Sequence, residues 1–348
     1  MMARFGCTVT VDTGKMPSSQ SDFSWLLTED NFPTAAVDGG TDSILNGGGN
    51  LRCYTDDTKT TQLAIEVVSF VTGGTPSVQV WGLSATLNVG DTVYIEADTV
   101  ETAQPAVTDT FGRNAVWAAF DHKISGQTDV TGNSSTTIIG VGVTQSGTIK
   151  GFPALNNDGT DGACLRLDDT DGESWLGDMY VSAWINSTTF RSFAQIFGIR
   201  QGNEWEISYR TEGNNQGFLV GTTSPESSTS LSTGVDYFLA AVINGTDIDY
   251  YVNGDFTDST SVNGTRVNRV FDITLLGIET ATNNTSVNGS TAETKAINGG
   301  FKIADYIKSE YNNQSSPSTF WTTSAWEDQD SGGTSIPVIM NQYKQRRV

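Results

Sequence analysis

The sequence predicts an all-β protein, with two β-sandwiches in tandem and an extended C-terminal tail. Three observations lead there. Short runs of β-branched and aromatic residues recur between turn signals throughout the chain. Glycine is abundant (37) while proline is scarce (8), and charged residues make up only 17% of 348 positions. Aromatics reach 10%, enough to fill the cores of two domains rather than leave the chain disordered.

The clearest element is the stretch from Val235 to Phe256. Tyr237 to Ile243 is rich in β-formers, Asn244-Gly245-Thr246-Asp247 is a turn, and Ile248 to Val252 returns before Asn253-Gly254. Asn-Gly between β-rich runs signals a hairpin, because tight turns need positive φ. Ile248, Tyr250 and Val252 share one face by the period of two. A hairpin is not stable alone in water, so a larger sheet must enclose it.

Residues 1–100 read as a first unit of six strands: Phe5–Val11, Phe23–Leu27, Leu51–Tyr54, Leu63–Val68, Ser77–Trp81 and Thr92–Ile95. Gly-rich turns at Asp38-Gly39-Gly40, Asn46-Gly47-Gly48-Gly49 and Gly73-Gly74 separate them. This spacing predicts a small sandwich of jelly-roll type. Residues 101–119 read as a linker, and 120–316 as a second sandwich beginning with a strand over Ile138–Val143. Residues 317–348 read as an extended tail: polar to Ser335, then apolar over Ile336-Pro337-Val338-Ile339-Met340 and basic over Lys344, Arg346 and Arg347. On a chain of net charge −21 that basic end is a local inversion. It is expected to be either a frayed terminus or a segment docking on an assembly partner.

The hairpin and its flanks resemble the laminin-G / concanavalin-A-like modules. The carriers are Tyr237–Thr246 with Tyr251-Val252-Asn253-Gly254, Asp178–Ile185, Ile273-Thr274-Leu275-Leu276-Gly277, and Phe301–Ile307 followed by Glu310-Tyr311-Asn312. The resemblance spans about Gly159 to Asn313. It implies a jelly-roll sandwich, with Phe301–Ile307 as closing strand and a short helix after it. The first unit resembles, more loosely, a domain of unknown function that precedes such modules in phage and microbial surface proteins. Arg4-Phe5, Phe23–Asp30, Asp38–Asp42, Ile65-Glu66-Val67 and Val80–Leu83 carry that likeness. The fold hosts lectins, hydrolases and inert spacers, so it does not fix a function.

Charge and composition exclude several classes. A surface this acidic repels nucleic-acid phosphate. No apolar run approaches a membrane span, and the first fourteen residues hold no apolar core of signal-peptide length. Cys7, Cys53 and Cys164 are far apart and odd in number, which predicts buried free thiols; the single histidine, His122, nearly excludes a histidine metal site. No nucleophile elbow or phosphate-binding glycine loop occurs.

Candidate chemistry is sparse. Glu204 and Glu206 share a strand face, as paired carboxylates of a glycanase would, but the third acid is missing. Asp168, Asp169 and Asp171 lie in the densest acidic loop, which reads as an exposed turn or as a calcium site. Asn214 and Asn215, with Asn283 and Asn284, lie in polar loops that read as ordinary turns or as glycan contacts. The expectation is a non-enzymatic, homo-oligomeric virion protein on the particle exterior, as capsid decoration or tail-fibre component. It is made in the host cytoplasm without a signal peptide, contacts other virion proteins through its tail, and has weak glycan binding as a secondary property. It needs no cofactor unless calcium. The alternatives are a carbohydrate-binding adhesin and a glycoside hydrolase.

Overall fold

A computed structural model describes residues 4–104, 118–119, 135–168, 175–201, 204–220, 224–262, 267, 271–279, 285–300 and 302–329. The first sandwich holds β1 (Phe5–Val11), β2 (Gln20–Thr28), a short α1 (Thr34–Val37), β3 (Leu51–Tyr54), β4 (Ile65–Val71), β5 (Ser77–Leu87) and β6 (Thr92–Ala97). All six expected strands are present, and β5 runs six residues past its expected end. One sheet is ordered β1-β6-β3; the other is β2-β5-β4. Cys7 and Cys53 flank Ile95 in the first sheet and, with Cys164, are buried free thiols.

The second sandwich follows. Its strands are β7 (Ala118–Ala119), β8 (Ser135–Ile139), β9 (Val143–Ile149), β10 (Phe152–Asp158), β11 (Cys164–Asp168), β12 (Met179–Thr189), β13 (Ala194–Gln201), β14 (Glu204–Glu212), β15 (Asn215–Val220), β16 (Glu226–Ser230), β17 (Tyr237–Asn244), β18 (Asp247–Val252), β19 (Asp255–Ser261), β20 (Ile273–Leu275) and β21 (Asn288–Asn298). Eight strands form one sheet, β19-β18-β17-β12-β21-β10-β9 with β7 beside β21. Seven form the other, β16-β15-β14-β13-β20-β11-β8. The organising hairpin is β17–β18, with Asn244 opposite Asp247, and Ile248 and Tyr250 buried between the sheets.

The sequence of β12 explains how the layers stack. Val181, Ala183 and Ile185 point into the core between the two large sheets. The alternating Tyr180 and Trp184 point outward, into a second core shared with the first sandwich. A strand buried on both faces reads as a continuous apolar run, and β12 does.

The chain after β21 departs from expectation twice. Phe301–Ile307 is not the closing strand. Ala304–Ser315 is a helix, α2, and β21 closes the sheet. Tyr306, Ile307, Glu310, Asn313 and Gln314 are buried at helical spacing, whereas the polar Thr291, Thr294 and Lys295 hide β21 in the sequence. Second, residues 317–329 are not an extended linker. They form α3 (Pro317–Phe320), β22 (Trp321–Thr323) and β23 (Glu327–Asp328), and both strands pair with β1. Trp321 is the reason: its ring lies edge-on to Trp25 at 6.0 Å and its indole N–H donates to the Leu26 carbonyl. The expected strand over Ile138–Val143 is also divided, because Gly140 (φ 76°) and Gly142 (φ 112°) turn the chain between β8 and β9.

Helix α2 joins the sandwiches. Toward the second, Tyr180 and Lys295 both donate to the Glu310 carboxylate, and the Trp184 indole donates to Gln314 Oε1 at 2.7 Å. Toward the first, Asn313 takes the Leu26 N–H at 2.7 Å and returns a bond to the Leu26 carbonyl, while Ser18 donates to Asp305. Trp81 stacks on Phe152 at 6.1 Å across the same junction. Among the described residues, no helix is long and apolar enough to cross a membrane.

Candidate functional site

The outer face of the seven-stranded sheet carries the polar and aromatic groups available for recognition. Register places Glu226, Gly217, Arg210 and Gln195 side by side across β16-β15-β14-β13, and Thr274, Arg166 and Thr137 across β20-β11-β8. The three parts of this row differ in chemistry.

The middle is closed. Gln195 is fully buried; its amide N–H groups donate to Thr274 Oγ1 at 2.6 Å and to the Thr274 and Gly277 carbonyls, and Ser208 donates to its oxygen. Its amide hydrogens are committed and the side chain is sealed from solvent, so it offers nothing to a ligand.

The β11 end holds Asp168. Its carboxylate accepts from Thr137 Oγ1 at 2.6 Å and Arg166 Nε at 2.8 Å, and Arg166 also pairs with Asp272 and Glu279. These partners hold the Arg166 guanidinium above its usual pKa, the Asp168 bond first among them. The Arg166 guanidinium is thus one cation beside Asp168. No group of three His, Cys, Asp or Glu side chains fit to hold a metal occurs among the described residues. Asp169 and Asp171 lie outside those residues, as do His122, Asn283, Asn284, Ile336, Val338, Ile339, Lys344, Arg346 and Arg347. Glu204 begins β14 as expected, but the side chains of Glu204 and Glu206 are outside the description.

The β14–β15 end is open. Phe193 lies just before β13 with φ 73°, a left-handed conformation that costs a bulky residue about 1–2 kcal/mol. It is held there by its N–H, which donates to the Thr211 carbonyl, while Thr211 Oγ1 donates to the Arg191 carbonyl. The ring is 45% exposed. Beneath it the Arg210 guanidinium lies 4.8 Å from the ring centroid. Arg210 is only 2% exposed, pairs with Glu212, and donates to Ser224 Oγ at 2.7 Å; its Nε has no hydrogen-bond partner among the described residues. Burial lowers its pKa and the Glu212 carboxylate opposes that shift, so it stays charged at neutral pH. Gly217 keeps this surface flat, since a Cβ there would sit 2.7 Å from Glu212 Cγ.

Two expected glycan residues border this platform. Asn214 is exposed at the β14–β15 turn. Asn215 is committed to the sheet: it accepts from Ser230 Oγ at 3.3 Å and its amide lies 3.5 Å from Glu226 Oε2. Phe193 and Arg210 were not legible as site residues, because nothing in Arg191-Ser192-Phe193-Ala194 announces a left-handed backbone.

No protein-family model matches the chain, and no curated protein matches it. Several solved structures are similar. Domain 4 of an extracellular arabinanase from Geobacillus stearothermophilus, solved with arabinotriose, is 19% identical with a TM-score of 0.46, covering 56% of this chain and 98% of that domain. A structure of botulinum neurotoxin type C, whose cell entry depends on interaction with two ganglioside molecules, is 13% identical with a TM-score of 0.45 over 58% of this chain and 52% of that one. A Trypanosoma rangeli sialidase is 13% identical with a TM-score of 0.45, over 61% of this chain and 34% of its own.

Proposed function

We propose that this protein is a non-catalytic recognition protein that binds carbohydrate at the β14–β15 end of the seven-stranded sheet. The observation that carries the proposal is Phe193. A half-exposed aromatic ring held in a strained conformation over a buried arginine is a plate suited to the apolar face of a pyranose. Glu212, Asn214 and Ser224 beside it supply acceptors and donors for ring hydroxyls. The setting we propose is the exterior of a virus particle, as a decoration or tail-fibre component. It rests on the acidic surface and on a rigid all-β build without an assembled set of catalytic groups among the described residues.

Glycan-array binding tests the recognition reading. Wild type is expected to retain a subset of neutral glycans, and Phe193→Ala to lose them at least tenfold while unfolding at the urea concentration its lost packing predicts. Equal retention by both proteins refutes the site. Turnover of a retained glycan that disappears in Glu204→Gln or Glu206→Gln refutes the non-catalytic reading. Co-purification from infected or producing cells tests the setting: association with particle proteins supports it, and a free protein does not.

A further inference from the structure

A cleft of about 690 Å³ opens where the two sandwiches meet, on the side of the second sandwich away from Phe193. That volume falls within the roughly 300–1,000 Å³ of ligand sites, which favour domain junctions. The first sandwich contributes the end of β2 with Glu29 and Asp30, and the facing parts of β4 and β5. The second contributes the β9–β10 turn with Lys150 and Phe152, and the end of α2 with the start of α3 completes the wall.

Most polar groups lining this cleft are already used. Gln79 donates to Glu293 Oε1 at 3.2 Å, Gln314 accepts from Trp184, and Glu29 Oε2 accepts the Val78 N–H at 3.0 Å. Two charges are not. Asp30 and Lys150 are exposed, make no hydrogen bond or ion pair among the described residues, and come from different sandwiches. Lys150 also sits at φ 54° in a tight turn with Gly151 at φ 88°, where Asn, Asp or Gly is the usual occupant. The same lining includes the apolar Leu26, Val68, Val78, Pro153 and Pro317. The aromatic ring of the lining, Phe152, is 3% exposed with its face against Trp81, so the cleft offers no plate for a sugar.

We propose that this cleft binds a short extended peptide bearing one acidic and one basic side chain separated by apolar residues. Its carboxylate meets Lys150, its cation meets Asp30 and the free oxygen of Glu29, and its apolar side chains lie on the valines and prolines of the lining. Complementary charge at both ends fixes the direction of the peptide as well as its place. The site is independent of the glycan reading of the outer face.

The test passes a randomised pentapeptide pool over the immobilised full chain and sequences what is retained. Wild type is expected to enrich peptides with an acid and a base two to four positions apart. Lys150→Gly, which suits the left-handed turn and so keeps the fold, should lose the preference for the acid at least fivefold. Asp30→Lys should lose the preference for the base, and Phe193→Ala should change neither. A retained pool identical in wild type and Lys150→Gly, no peptide retention by folded wild type, or retention displaced by neutral oligosaccharides overturns the proposal.

Discussion

Phe193 gives the sharpest prediction, because two substitutions there separate strain from contact. Replacing it by alanine or glycine removes the same ring. A half-exposed ring buries about 100 Å², so either variant loses about 2 kcal/mol of apolar burial, with about 0.5–1 kcal/mol more from the guanidinium contact. The two variants then differ only in backbone. At an ordinary strand position glycine is about 0.5–1 kcal/mol less stable than alanine. At φ 73° alanine keeps the left-handed penalty of about 1–2 kcal/mol and glycine does not. Phe193→Gly should therefore be at least as stable as Phe193→Ala, and up to about 1.5 kcal/mol more so. Urea unfolding at constant m-value reads this difference directly. Alanine exceeding glycine by the ordinary margin would refute the strain and with it the inference that the ring is held in place at a cost.

Three further outcomes follow from the packing. Truncation after 316 removes β22, β23 and Trp321 from the first sandwich and should lower stability by about 3 kcal/mol or more; an unchanged urea midpoint would show that the pairing with β1 is dispensable. Lys295→Met leaves the Glu310 carboxylate buried without its cation and should cost about 3–5 kcal/mol, with part recovered in the double variant Lys295→Met, Glu310→Gln; no recovery would argue against a coupled pair. Burial pushes the Cys7 and Cys164 thiols up to about 12, and Cys53 higher still. Because the folded thiols hold their protons more tightly than unfolded ones, stability is full below the unfolded pKa near 8.5 and declines as pH rises toward about 12. A thiol reagent at pH 8 should find no reactive cysteine until urea exposes all three.

The fold was largely legible where side chains alternate. The β17–β18 hairpin, β12 and the six strands of the first sandwich announce themselves because one face is apolar and the ends carry Gly or Asn. Legibility failed where burial is polar. In β21, Thr291, Thr294 and Lys295 are buried by hydrogen bonds and an ion pair, which a hydropathy pattern does not register. Helix α2 likewise buries Glu310, Asn313 and Gln314, whose partners include Leu26, 287 residues away, and Tyr180 and Trp184, each 130 residues away. The tail misled for a related reason: Trp321 and Trp326 are separated by polar residues, and only the docked strands show what they seal. Of the proposed recognition platform, sequence reached the rim at Asn214 and missed the ring, since a left-handed phenylalanine has no signature of its own. The unpaired charges at the junction were invisible because they belong to distant parts of the chain.

Residues near both ends of the described chain lie in one sheet, with Phe5 opposite Asp328 and the Gln329 N–H bonded to the Arg4 carbonyl. The described chain therefore enters at Arg4 and leaves at Gln329 side by side in the first sandwich, beneath the layer formed by α2 and the eight-stranded sheet. The phenylalanine plate lies on the opposite outermost surface. Tension applied between Arg4 and Gln329 would peel β23 from β1 before it reached the seven-stranded sheet.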